Sequence, residues 1–191
     1  MKLMVNGFEA HVATGGKKFD KNLPTVLFLH GSGLDHRSWA LQTRWFAYNG
    51  FGVLAPDFPG HSLSKGAPCA TIEDSGKWLA DFLDAMGVRE AHVVGHSQGF
   101  LSALELSRLK PTRLKSLIGV GTAAAIPVNP MLIETAERSP MKAADLMLQW
   151  GFGHKTQMGV SATPGMQPIA IGRQIMGNNP LAVDLHCCAD Y

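Results

Sequence analysis

The chain has little of what would mark an exported, metal-stapled or membrane protein. Its three cysteines, Cys69, Cys187 and Cys188, are an odd number with no C-x-x-C and no Cys/His ligand spacing, which argues against a disulfide framework or a zinc site. No apolar run approaches the ~18 residues of a membrane-spanning helix. The opening MKLMVNGFEA reaches Asn6 and Glu9 before any signal-peptide core could form. Blocks of one charge are also missing: 17 basic and 15 acidic residues leave a net charge of +2, so no nucleic-acid-binding stripe is expected. Together these absences predict a cytoplasmic protein with reduced thiols, no nucleic-acid or membrane partner, and no cofactor or metal.

What is present is an alternation of short apolar runs and helical patterns within 191 residues, a length suited to one compact body. TVLFLH (25–30), FGVLAP (51–56), AHVVGH (91–96) and LKSLIGVG (114–121) read as strands buried on both faces. Residues 38–48, 71–86 and 98–109 carry a helical period between them, and strands alternating with helices imply a parallel sheet. KLMV and FEAHVAT, separated by Asn6-Gly7, predict an antiparallel hairpin ahead of it. Thr71 with Asp74 three residues on is a capping-box pattern, and Gly87 is placed to end that helix. Ile72, Leu79, Phe82, Leu83 and Met86 form its expected inner face, and Trp39 and Trp45 are assigned to the core. After Gly121, prolines at 127, 130, 140, 164, 168 and 180 punctuate short helical stretches read as lying over the sheet.

Chemistry enters at VVGHSQGF. Ser97 stands between Gly95 and Gly99 where a strand must turn sharply into a helix, a geometry that exposes a serine hydroxyl above the carboxyl ends of the strands. A serine attacking a carbonyl also needs donors for the oxyanion. The Gln98 N–H at the helix start is one, and the loop LHGSGLDH offers the other, with Ser32 N–H first and Gly33 next. His30, His96 and the turn DFPGHSLS, with Asp57, His61 and Ser64, are read as packed or locally hydrogen-bonded.

HGSG after one strand, DFPGHSLS after the next and GHSQG at the elbow resemble the α/β-hydrolase fold family, in that order and over the whole chain. The resemblance implies an α/β fold with a mostly parallel sheet, flanking helices and a helical cap, with residues 1–122 as the N-terminal part of the core and 123–191 as the cap. It further implies a serine hydrolase of the carboxylesterase type, acting on a small ester-like molecule through an acyl-enzyme at Ser97 with Ser32 and Gln98 as the oxyanion hole. Serine at the elbow resembles the ester and C–C bond hydrolases; haloalkane dehalogenases and most epoxide hydrolases need Asp there. The cap is rich in methionine, with Met131, Met141, Met147, Met158, Met166 and Met176, which suits either an adaptable apolar pocket or the filling of an ordinary core.

The family's chain order is Ser, then Asp or Glu, then His, and here the order fails. Only the strand 114–121 follows Ser97, TAAAIPVNP offers no carboxylate before Glu134, and His154 and His186 lack a strand-turn context. None of His30, His36, His61 and His96 has an acid placed behind it by a motif. The chain therefore resembles the first two-thirds of a capped α/β-hydrolase, without the triad acid and histidine, and is expected to be poorly active alone. Its open sheet edge leaves self-association or pairing with a missing C-terminal segment as partner readings. The rivals are a non-catalytic binding module or degenerate hydrolase and, among enzymes, a C–C bond hydrolase or hydroxynitrile lyase.

Overall fold

The computed structural model describes residues 1–161 and 167–191. Its sheet begins as a hairpin of β1 (Lys2–Val5) and β2 (Phe8–Ala13), with Lys2 opposite His11 and Val5 opposite Phe8. Asn6 and Gly7 turn the chain at φ 50° and 83°, positive angles that Asn-Gly adopts with little strain. β2 then pairs antiparallel with β4 (Gly52–Pro56), while β3 (Thr25–Leu29), β5 (Ala91–His96) and β6 (Leu114–Val120) continue in parallel, in the order β1-β2-β4-β3-β5-β6.

Every residue of β3 and β4 is buried, as an unbroken apolar run requires when helices cover both faces. The alternation of side chains splits β3 between two cores. Val26 and Phe28 face Trp39 and Ala47 beside α1 (Ala40–Tyr48); Leu27 and Leu29 face Leu79, Phe82 and Leu83 of α2 (Ile72–Ala85) and Leu106 of α3 (Gln98–Leu109). α2 and α3 approach closely at Gly76, where a Cβ would come within 2.5 Å of Glu105 Cβ. Trp39 is in the core, but Trp45 is 59% exposed, contrary to expectation. α1 turns Thr43 and Ala47 inward, and a residue two places after Thr43 lies ~200° around the helix.

Beyond β6 the chain forms α4 (Pro130–Arg138), α5 (Pro140–Gly151), the single turn α6 (His154–Gln157), α7 (Pro168–Met176) and α8 (Leu181–Asp190). Leu132, Ala136, Ala144, Leu148, Met176 and Leu185 make a separate apolar cluster among them. α8 returns to the main body, packing Cys187 and Cys188 with Ile72 and Leu101. Among the described residues no helix is long and apolar enough to cross a membrane.

Candidate active site

β5 ends against α3 with no residue to spare, and Ser97 takes the turn at φ 51°, ψ −124°. Non-glycine residues rarely hold a positive φ unless the surroundings enforce it. Here the Ser97 N–H donates to Val120 O at 3.1 Å, and Ser97 O accepts from Phe100 N–H at 2.9 Å and Thr122 Oγ1 at 3.1 Å. The two glycines are steric necessities: a Cβ on Gly95 would lie 2.5 Å from Phe100 N, and one on Gly99 would lie 2.5 Å from His30 O. The backbone is thus fixed on both sides of the serine. Among the described residues its hydroxyl has no hydrogen-bond partner.

The loop after β3 crosses directly over this turn. A Cβ on Gly31 would come within 3.0 Å of Ser97 Cβ, and Gly33 holds φ 66°. Gly33 N–H, the second choice of oxyanion donor, is engaged: it donates to Asp184 Oδ2 at 2.6 Å. Ser32 N–H makes no backbone hydrogen bond among the described residues, and the N–H of Gln98, first in α3, has no acceptor within its helix. Two unpaired amides therefore flank Ser97.

Ser97 and Ser32 both line a cleft of about 390 Å³, roofed by Val128, Leu132, Met147, Trp150 and Leu185. The methionine-lined pocket is not what forms. Of the five that are described, only Met147 lines this cleft; Met131 and Met158 are exposed and Met176 joins the helical cluster. Met141 packs against Gly177, and Met166 lies outside the described residues. The cleft's roof is instead mainly Val128, Leu132, Trp150 and Leu185. Cys188 also lines the cleft, its Sγ 3.6 Å from Ser32 Oγ. Burial pushes its thiol up to about 11, so near neutral pH it is a neutral thiol and a weak nucleophile.

The histidines near the site are committed. His30 Nδ1 donates to Gly31 O at 3.0 Å and its Nε2 accepts from Phe58 N–H at 3.1 Å, the pattern of a neutral ring; burial lowers its pKa to about 4. His96 packs edge-on to Trp39 at 6.4 Å, and burial lowers its pKa as well. His36 and His61, which no motif supplied with an acid, each have one: His36 Nδ1 lies 2.8 Å from Asp57, and His61 Nε2 lies 2.9 Å from Asp184. Asp57 and Ser64 form a hydrogen-bonded turn, with Ser64 Oγ donating to Asp57 O at 2.7 Å. None of these rings reaches the Ser97 hydroxyl.

Asp184 is the residue that sequence reasoning missed, although a signal was there. In PLAVDLHCC it falls on the same face as Leu181, Leu185 and Cys188, spaced i, i+3, i+4 and i+7. An acid on a buried stripe needs partners. Among the described residues one group could hold a cation, His11, His36 and Asp57, whose ligand atoms lie within 4.8 Å of one another. Its carboxylate already accepts from the His36 N–H and ring and from Leu63 N–H, and none of the three lines the Ser97 cleft.

A family model described as alpha/beta hydrolase fold matches residues 24–155. The chain belongs to the α/β-hydrolase fold family. Within it, the chain is 36% identical over 105 residues to the dihydrolipoyllysine-residue acetyltransferase component of acetoin cleaving system from Cupriavidus necator, covering 52% of this chain and 28% of that one. It is 31% identical over 106 residues to 3-oxoadipate enol-lactonase 1 from Acinetobacter baylyi, covering 56% and 40%. The crystal structure of the enol-lactonase from Burkholderia xenovorans LB400 shares the fold at a TM-score of 0.82 and 23% identity, covering 99% of this chain and 73% of that one. The chain spans less than half the length of the curated relatives it matches.

Proposed function

We propose that this α/β-hydrolase chain carries the nucleophile and oxyanion hole of a serine hydrolase acting on a small ester or lactone. The observation that carries the reading is the Ser97 turn: a positive-φ serine with an unpaired hydroxyl, opening into an apolar cleft beside two unpaired amides. In the reaction, Ser97 Oγ bonds to the acyl carbon as its proton passes to a base. Ser32 N–H and Gln98 N–H hold the resulting oxyanion. Collapse then breaks the acyl C–O bond as the base returns that proton to the departing alcohol oxygen, leaving an acyl-enzyme for water to hydrolyse. The cleft's apolar roof suits a small acyl group and keeps bulk water from the developing charge. The names of two relatives, an acetyltransferase component and an enol-lactonase, both describe chemistry at an acyl carbon.

The base is not among the described residues, since His30 and His61 have both ring nitrogens engaged and no imidazole reaches Ser97. It must arrive from a loop on the same sheet edge. The rival reading is a binding protein that keeps the pocket without turnover. Hydrolysis of p-nitrophenyl acetate separates the two: Ser97→Ala is expected to lower kcat on the order of 10⁶-fold in the active form of the protein. Substantial residual turnover would place the chemistry elsewhere, and no turnover in any form would leave the binding reading.

A further inference from the structure

One buried carboxylate ties the oxyanion loop to the elbow. Asp184 is 3% exposed. Its Oδ2 accepts from Gly33 N–H at 2.6 Å and faces His61 Nε2 at 2.9 Å, and its Oδ1 accepts from Gln98 Nε2 at 3.3 Å. Asn179, five residues earlier, reinforces the tie: its Nδ2 donates to Gly33 O at 3.0 Å and Leu34 O at 2.9 Å, and its Oδ1 accepts from Ser62 N–H at 2.8 Å. Gly33 is thereby held at both its amide and its carbonyl, while the neighbouring Ser32 amide is left unpaired.

A bare carboxylate beside a forming oxyanion would oppose it, so its charge has to be met. His61 meets it. Its Nδ1 lies 3.0 Å from Pro59 O and its Nε2 lies 2.9 Å from Asp184, so both ring nitrogens face acceptors. Only the imidazolium donates to both. The three arms of Asp184 thus end on a residue adjoining the Ser32 amide, on the side chain of Gln98, whose own amide is the other donor, and on a cation.

We propose that Asp184, with His61 as its counter-charge, is a positioning residue that sets the Ser32 and Gln98 amides for the oxyanion, a role that rests on Ser97 being the nucleophile. It touches no reacting atom and acts through the loop and the elbow. Removing it displaces the donors rather than deleting them, so the expected loss, on the order of 10–100-fold in kcat, is smaller than the ~10²–10³-fold for losing one oxyanion donor outright.

Two readouts on wild type and Asp184→Asn test this. Hydrogen exchange should quicken in residues 31–34 and 58–63 of the variant, with β3 and β5 unchanged. In the active form, kcat per titrated Ser97 should fall 10–100-fold with KM changed less than threefold, and Asp184→Ala should fall at least as far. Unchanged exchange in 31–34, or unchanged kcat per titrated serine, would overturn the proposal. A clamp that serves stability alone would lower the fraction of titratable protein but leave turnover per titrated serine intact. Should Asp184→Asn not fold, Gln98→Met removes only the elbow arm and is expected to cost several-fold in kcat; no loss there contradicts the proposal equally. If wild-type Ser97 cannot be titrated at all, the nucleophile reading fails, while the exchange data still decide whether Asp184 holds the loop.

Discussion

At the scale of single residues, His61 and His30 sit with ring centroids 5.0 Å apart and titrate in opposite senses. Burial pulls the His61 pKa down, but the Asp184 charge and hydrogen bond and the Pro59 carbonyl outweigh it and raise it above the ordinary 6.5. Its stabilisation is therefore complete below about 6.5 and is lost as pH rises through the higher folded value. His30, lowered to about 4 by burial, contributes the reverse: stability gained as pH climbs from about 4 towards 6.5. Urea unfolding against pH should thus show a maximum near neutrality, and His61→Gln should flatten the alkaline limb while leaving the acid limb. An alkaline limb unchanged in His61→Gln would refute the ion pair. Ser97 and its glycines were legible at this scale because G-x-S-x-G at a strand-to-helix turn has a local steric cause. The His61–Asp184 pair was not, because 123 residues separate its members and no local rule joins them.

At the scale of elements, legibility follows the same division between local and distant causes. α2 begins where its capping pattern placed it: Thr71 Oγ1 accepts from Asp74 N–H at 3.1 Å, and Gly87 follows with φ 65°. Replacing Thr71 with Ala removes that acceptor and should cost about 1 kcal/mol, measurable as a lower urea midpoint with an unchanged m-value; no shift would mean the cap contributes nothing. The strands were found within a residue or two because their apolar runs are bounded by turn residues. The placement of α8 had no such marker. Its apolar face could have met any surface, and what fixes it is the match of Leu181, Leu185 and Cys188 with the other helices, together with Asp184 and Asn179 reaching the loops.

For the whole molecule, the sheet's two sides are unequal. β6 pairs with β5 on one side and, among the described residues, with no strand on the other. Ile118 and Val120 are 49% and 42% exposed on it, whereas β3 and β4 are wholly buried. An apolar parallel edge is a template for pairing, so the 191-residue protein is expected to run as a dimer or larger in size-exclusion chromatography, and Ile118→Lys to move it towards the monomer. A wild-type monomer would contradict this. Ser97 stands at the carboxyl end of β5, and its role as nucleophile is tested most directly by a fluorophosphonate reaction with the ester-hydrolysing form of the protein, followed by peptide mass mapping. One adduct is expected, on Ser97, and it disappears in Ser97→Ala. An adduct on a different residue, or ester hydrolysis that proceeds with Ser97 unmodified, would contradict that role.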